Sequence, residues 1–406
     1  MKRIPSIDVA RGLVMVIMAL DHSRDLLHIN AAQSPTNLAT TTTILFLTRW
    51  ITHLCAPAFV FLSGTSAFIY LFRASSNTSA PNRASATTSA PNRTSDDLRS
   101  RRRFLLTRGL VLILMEFTIV NFGMFFDVRF RLFMFEVIAT IGAGMFLLSF
   151  LSRLPLKVIM ALSALLIFGH DLFSPGMLPP TGPINFIGSL LLSLNAYTTG
   201  ADRVFVIAYP VLPWLGIMLA GFAAGRLFIM PVEKRKSIFR KLGFSLLTLF
   251  ILLRLIDRYG DPIHWATQKN AVFTFLSFIN VNKYPPSLLF TLVTLGILLL
   301  VLSAAEGRDN RTTRFLLIYG QVPMFYFIIH FYILHTILII TVLLQGYHWA
   351  DLPFGGGQFG RPPGAGLPLA AVYAIWIAVV ITLYPLCRRY GQYKQSHREK
   401  KWLRYI

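Results

Sequence analysis

The sequence has little charge, few acidic residues and almost no cysteine. Only 14% of its 406 residues are charged and 54% are hydrophobic, so the chain lacks the polar surface of a soluble globular domain. Its two cysteines, Cys55 and Cys387, both lie in hydrophobic stretches. This count excludes a disulfide framework and a cysteine-based metal site.

Several motifs of soluble enzymes are also absent. The sequence has no His-Glu-x-x-His zinc motif, no Walker phosphate-binding loop, no dinucleotide fingerprint after a strand and no Gly-x-Ser-x-Gly nucleophile turn. His330 and His335 are five residues apart, which is about 140° around a helix, so they do not face one metal ion together. The sequence therefore predicts no metal cofactor.

Long apolar runs dominate the chain instead. The mean hydropathy is +0.59, and apolar runs of about 20 residues, the length that crosses a bilayer, recur along the sequence. Ten spans are predicted, at residues 7–28, 43–72, 104–126, 130–152, 155–172, 203–228, 239–257, 284–304, 315–345 and 367–387. The predicted fold class is all-α: a polytopic membrane helical bundle of about ten transmembrane helices, with residues 1–406 forming a single domain.

The excess of basic residues sets the predicted orientation. The chain carries 39 Lys and Arg against 17 Asp and Glu, a net charge of +22 that would indicate nucleic acid binding in a soluble protein. Here the basic residues lie between the spans, and they follow each even-numbered span. By the positive-inside rule both termini are cytoplasmic. We therefore expect a multi-pass membrane protein, with the lipid bilayer and no nucleic acid as its partner.

The segments between the spans differ in character. Residues 74–93 are a tandem duplication without large apolar residues, so 73–103 is predicted to be a disordered cytoplasmic loop within the domain. Residues 173–202, 258–283 and 346–366 combine Pro, Gly or Trp with apolar stretches too short to span. They are typical of re-entrant or interfacial pieces that cover a cavity.

The first span carries Asp8, Arg11, Asp21, His22, Arg24 and Asp25 at membrane depth, where charge is costly and is kept for a partner or a function. Asp8 and Arg11 are helical neighbours, and His22 follows Arg11 by eleven residues, close to three turns. These residues share one helix face with Met15 and Met18. The pattern predicts either a structural ion pair and a packing histidine, or a functional stripe; Asp21 beside His22 favours function.

The second span adds Arg49 and His53, four residues apart. Because the two spans cross in opposite directions, His53 is expected at the depth of His22. Two imidazoles with a nearby Asp21 could supply a general base and its orienting partner. Other polar residues in the spans could line a hydrated cavity or form packing ion pairs, such as Glu116 with Arg254.

These motifs carry a family resemblance. The stretches SIDVARGLVMVIMALDHSRD, RWITHLCAPAFVFLSGTSAF, YPVLPWLGIMLAGFAAG, FINVNKYPPSLLFTLVTLG, YGQVPMFYFIIHFYILH and LYPLCRRYGQYK resemble the bacterial branch of the heparan-α-glucosaminide N-acetyltransferase catalytic-domain family. The Arg11-to-His22 spacing is similar to the Arg-x10-His motif of membrane acyltransferases that modify bacterial sugars. The resemblance implies an acyl-CoA-dependent acyltransferase of the bacterial inner membrane that acts on a glycan, with His22 as the catalytic candidate.

Roles for the other residues follow from that expectation. We expect His22, oriented by Asp21 or His53, to take the proton of an acceptor hydroxyl or amine. Acetyl-CoA, the acyl donor, would approach from the basic cytoplasmic side. Its predicted contacts there are Arg101, Arg102, Arg103 and Arg108. The predicted substrate-binding residues are Arg11, Arg24, Arg49 and Tyr284, of which Arg49 or Tyr284 could stabilise the oxyanion.

Two other classes of protein use the same ingredients. A transporter or flippase for a lipid-linked sugar or small solute also needs intramembrane charges and a cavity, and a structural subunit could use polar stripes to assemble its helices. Residues 1–200 and 203–406 show no internal similarity, which disfavours a transporter built from repeats. The expected partners of the acyltransferase are a small-molecule or glycan acceptor and, as a possible homo-oligomer, a second copy of the chain.

Overall fold

The computed structural model describes residues 4–72, 92–173, 175–200, 202–355 and 358–405. These residues fold mainly into α-helices. The helices are α1 (Pro5–Leu27), α2 (Thr43–Thr52), α3 (Cys55–Phe72), α4 (Asn92–Met115), α5 (Asn121–Phe125), α6 (Val137–Leu151), α7 (Leu156–Gly169), α8 (Pro183–Leu192), α9 (Val211–Ala224), α10 (Val232–Ile256), α11 (Ala271–Ile279), α12 (Leu288–Ala305), α13 (Arg311–Gly320), α14 (Pro323–Leu344) and α15 (Leu369–Ser396).

Six helical segments of the described chain are long and apolar enough to cross a membrane. They are Thr43–Phe72, Asp97–Phe125, Val211–Ile229, Leu288–Ala305, Pro323–Leu344 and Leu369–Ser396. Helix α1 is also long, at 23 residues, but it carries five charged side chains. The helical class is therefore confirmed, whereas the count of ten spans stays a prediction because α6 and α7 are shorter helices.

A small sheet corrects the all-α prediction. Its strands are β1 (Leu132–Phe135), β2 (Asn195–Thr199) and β3 (Arg203–Ile207), in the order β1-β3-β2. β1 pairs with β3 in parallel, and β2 pairs with β3 antiparallel. β1 lies near the beginning of the predicted span 130–152, and β3 lies at the beginning of the predicted span 203–228. Both are rich in aromatic or β-branched residues, which suit a strand once a partner strand satisfies the backbone.

The predicted loop 73–103 is helical in its second part. Residues 73–91 lie outside the described part of the chain, but α4 begins at Asn92. Asp97 and Arg101 form an ion pair of 2.8 Å one turn apart, and Arg101 donates to the carbonyl of Tyr70 at 2.8 Å. These contacts explain why the basic stretch is an extension of α4 that packs against the end of α3.

A buried arginine holds the short helix α11 in place. Arg254 is fully buried near the end of α10 and donates to four backbone carbonyls, those of Ile263, Ser277, Phe278 and Asn280. The ion pair of Arg254 with Glu116 is therefore not formed. Glu116 instead accepts from the backbone N–H of Ala139 at 2.9 Å, at the positive N-terminus of α6.

Helix α1 lies at the centre and crosses α13 in backbone contact. A Cβ added to Gly12 would lie 1.9 Å from the carbonyl oxygen of Leu316, and one added to Gly320 would lie 1.8 Å from that of Asp8. Glycine is required on both helices for this approach. The predicted span 315–345 is broken at this point, since α13 ends at Gly320 and α14 begins at Pro323.

Candidate functional site

The centre of the site is a pair of histidines from α1 and α14. His22 Nδ1 lies 2.6 Å from His330 Nε2, and the two rings are nearly parallel, at 20° to each other with centroids 4.9 Å apart. His22 also stacks on Phe331 at 4.3 Å and meets the edge of Phe327 at 6.2 Å. In the sequence, His330 is only one of several polar residues in a span, 308 positions from His22.

The ring of His330, the second member of the pair, is also held by a hydrogen bond at its Nδ1 nitrogen. His330 is fully buried, and its Nδ1 lies 3.1 Å from the carbonyl oxygen of Tyr326, one turn earlier in α14. The neighbour that hydrogen-bonds His22 is thus His330, in place of the expected Asp21 or His53. The pair could have been anticipated only from the polar character of His330, since no local spacing connects α1 with α14.

Asp21 belongs to a cluster of ions next to this pair. Its Oδ1 accepts from Arg24 at 3.0 Å, and its Oδ2 accepts from Arg49 of α2. Arg24 also donates to Asp25 at 2.6 Å. Consecutive residues point about 100° apart on a helix, so Asp21 faces the cluster while His22 faces α14. Two predicted substrate-binding residues, Arg24 and Arg49, are therefore brought together by the carboxylate that had been expected to orient His22.

One cavity of about 350 Å³ lies on the side of α1 toward its N-terminus. Its basic lining residues are Arg11, Arg108 and Lys394, and much of the remaining wall is apolar. Arg11 donates to Asp8 at 2.9 Å, to Ser66 at 3.0 Å and to the carbonyl of Gly320 at 3.2 Å. The predicted contact of Asp8 with Arg11 is confirmed, and it forms part of this wall.

The arginines predicted to contact acetyl-CoA are not all at one site. Arg108 lines the cavity of Arg11, which we call the inner cavity. Arg101 is paired with Asp97, Arg102 donates to the side chain and backbone of Ser152, and Arg103 is exposed. Of the four arginines, Arg108 alone is among the lining residues of the inner cavity, since the other three lie nearer the N-terminus of α4.

A second cavity of about 340 Å³, here the outer cavity, lies beyond the ion cluster. Its lining includes Arg24, Asp25, Arg49, His53, Lys283 and Tyr284. Lys283 is buried, with Nζ 4.8 Å from the centre of the Tyr284 ring. Sequence reasoning missed it, although a lysine inside the apolar stretch FINVNKYPPS was a usable signal.

His53 lies in this outer cavity at the break between α2 and α3. It is buried and meets the edge of Phe290 at 5.5 Å. Its Nδ1 has no hydrogen-bond partner among the described residues. A buried polar atom without a partner is costly, so a ligand atom in the outer cavity would find an available group here.

The histidine pair lies between the two cavities along α1. Met15 lines the inner cavity and Arg24 lines the outer one. At 1.5 Å per residue, His22 is about 10 Å along the axis from Met15 and about 3 Å from Arg24. On α14, Phe327 lines the inner cavity and His330 follows within one turn. The imidazole of His22 is thus between the two cavities along α1, although it is among the lining residues of neither.

A metal ion has no site in the described ranges. Among them there is no group of three or more His, Cys, Asp or Glu side chains that could hold one. The polar chemistry that the described residues do bring together is that of imidazole, guanidinium, ammonium, carboxylate and phenol groups.

The fold and the two cavities define a class: a helical membrane protein with a polar, histidine-containing centre between two pockets. The chain belongs to the heparan-alpha-glucosaminide N-acetyltransferase, catalytic, family, whose sequence model matches residues 3–255. The match covers more than half of the chain and confirms the resemblance seen in its motifs. Membership indicates membrane acetyltransferase activity on sugars. A comparison with curated proteins gives no match to the chain.

Proposed function

We propose that the protein transfers an acetyl group from acetyl-CoA to a hydroxyl or amino group of a sugar or glycan, with His22 as the general base. The observation that carries this proposal is the position of His22, which is paired with His330 and lies along α1 between two cavities that both have basic side chains in their walls. Family membership supplies the reaction class, and the cavities supply room for a donor and an acceptor.

The inner cavity suits the donor. Acetyl-CoA carries anionic phosphates, which Arg11, Arg108 and Lys394 could bind through charge-assisted hydrogen bonds. The apolar part of the wall suits the acyl end of the molecule. Residues near both ends of the chain, Ile4 and Lys394, line this cavity. With ten spans and both termini in the cytoplasm, as we propose, the inner cavity lies on the side where acetyl-CoA is present.

The outer cavity suits the acceptor. A sugar offers hydroxyl groups that both donate and accept hydrogen bonds, and the cavity presents guanidinium, ammonium, imidazole and phenol groups to them. The orphaned Nδ1 of His53 supports an occupant with polar atoms. Arg24 and Arg49 are oriented by Asp21, so this wall is held in place before a ligand binds.

The reaction would proceed by direct attack. As the acceptor oxygen or nitrogen bonds to the thioester carbon, the imidazole of His22 takes its proton. Collapse of the tetrahedral intermediate breaks the carbon–sulfur bond, and the departing thiolate receives that proton from the imidazolium. General base catalysis of this kind contributes ~10²–10⁴-fold in rate. Arg49 or Tyr284 is our candidate for stabilising the oxyanion.

The test is acetyl transfer from labelled acetyl-CoA by purified protein in detergent. We expect His22→Ala and His22→Gln to lower turnover by at least ~100-fold while acetyl-CoA binding is kept, since the base acts in the chemical step. The matched control is His264→Ala, because that imidazole is 67% exposed and takes no part in the histidine pair. Wild-type turnover by His22→Ala would refute the assignment, and sugar transport without acetyl transfer would favour a transporter.

A further inference from the structure

We infer that His330 is a positioning residue that holds His22 in one tautomer, with the proton on Nδ1, so that Nε2 is the atom that acts as the base. This inference rests on the proposed function. It concerns the orientation of the base and assigns a role to a residue beyond the family match at residues 3–255.

The assignment follows from counting donors and acceptors. A backbone carbonyl can only accept, so the contact of His330 Nδ1 with the oxygen of Tyr326 at 3.1 Å requires a hydrogen on that nitrogen. In a neutral imidazole the other nitrogen, His330 Nε2, is then an acceptor. It lies 2.6 Å from His22 Nδ1, which must therefore donate. His22 Nε2 is left with its lone pair.

Packing keeps both rings in this arrangement. The ring of His330 lies 4.5 Å from that of Phe331 and 5.7 Å from that of Tyr326. Phe331 also stacks on His22 at 4.3 Å. Since both imidazoles are held by the same rigid turn of α14, a rotation of either ring would break a hydrogen bond and a stacking contact together.

The chain of hydrogen bonds ends on a neutral group. In a Ser-His-Asp triad a carboxylate fixes the tautomer of the base. Here the nearest carboxylate in sequence, that of Asp21, accepts from Arg24 and Arg49. His330 and the carbonyl of Tyr326 do the same orienting work with uncharged groups.

The decisive comparison is His330→Gln against His330→Leu. A glutamine amide oxygen can occupy the place of Nε2 and accept from His22, whereas leucine has similar bulk and no acceptor. We expect His330→Gln to keep kcat within ~10-fold of wild type. His330→Leu should lower kcat by more than that, up to the ~10²–10⁴-fold that the base contributes, with KM for acetyl-CoA unchanged.

His335→Leu is the matched control for damage to α14. His335 is also fully buried on α14, where its Nδ1 lies 3.1 Å from the carbonyl of Met124 and its ring stacks on Phe126. Its loss should lower the melting temperature but leave kcat of the folded protein near wild type. Equal losses of kcat in folded His330→Gln and His330→Leu would overturn the acceptor role of His330.

Nitrogen-15 NMR of histidine-labelled protein reads the tautomer directly. The His22 signals are assigned by their loss in His22→Gln. Wild type and His330→Gln should show a protonated Nδ1 and an unprotonated Nε2, and His330→Leu should show a mixture of tautomers. A wild-type His22 with its proton on Nε2 would overturn the inference. Full activity of His330→Leu beside an inactive His22→Ala would overturn it and leave the proposed function standing, whereas an active His22→Ala would remove both.

Discussion

Replacing Gly320 by alanine should disrupt the crossing of α1 and α13 and the site that depends on it. The added Cβ would lie 1.8 Å from the carbonyl oxygen of Asp8, where real Cβ contacts stay beyond 3.0 Å. The difference means that the helices must separate by about 1.2 Å. Overpacking of this kind costs ~1–3 kcal/mol.

The separation would also affect Arg11. Its Nη1 donates both to Asp8 at 2.9 Å and to the carbonyl of Gly320 at 3.2 Å, so the guanidinium bridges the two helices at their closest approach. Loss of a hydrogen bond to a charged group costs ~1.5–3 kcal/mol. Gly320→Ala should therefore lower the melting temperature in detergent and, since Arg11 lines the inner cavity, weaken acetyl-CoA binding.

The chain offers a control of matched position. Gly169 is the last residue of α7, as Gly320 is of α13, and a Cβ there would meet only Leu165 Cδ1 at 3.8 Å. Gly169→Ala should melt at the wild-type temperature, and Gly12→Ala should reproduce the defect from the other side of the crossing. Equal melting temperatures for Gly320→Ala and Gly169→Ala would refute the reasoning.

Two further predictions concern the ion cluster and the orientation. Asp21→Asn should destabilise the protein by ~3–5 kcal/mol, because it removes the carboxylate that pairs with the buried Arg24 and Arg49. In unfolding experiments in detergent, the double variant Asp21→Asn/Arg49→Gln should lose less stability than the two single variants added together. Strict additivity would contradict the pairing. A cysteine at Ser85 in a chain whose Cys55 and Cys387 are replaced should resist a membrane-impermeant thiol reagent in intact cells, and efficient labelling from outside would reverse the proposed orientation.

Local patterns in the sequence were sufficient for the helical class and for part of the site. Apolar runs of bilayer length indicate helices because the backbone must satisfy itself in lipid. The contact of Asp8 with Arg11 was equally predictable, since residues three apart on a helix are neighbours whatever surrounds them. Arg49 was predicted to bind the substrate, and it lines the outer cavity.

Contacts between distant segments were decided only by the tertiary structure. The stretches that form β1 and β3 resemble the beginnings of transmembrane spans, because four or five residues are too few to tell a strand from a helix. Only the pairing of the two stretches shows that they are strands. The same holds for Gly12 and Gly320, whose helices meet at a point that no spacing predicts. Packing, which joins positions far apart in the chain, selects among the pairings that composition allows.

The partner of His22 shows most clearly which features the sequence determined and which only the tertiary structure decided. The sequence by itself determined that a histidine lies on a charged face of the first helix, with Asp21 beside it. A helix turns about 100° per residue, so the adjacent carboxylate points to another neighbour and is neutralised by Arg24 and Arg49. Only the packing of α14 on α1 brings His330, 308 residues away, within hydrogen-bond distance of His22.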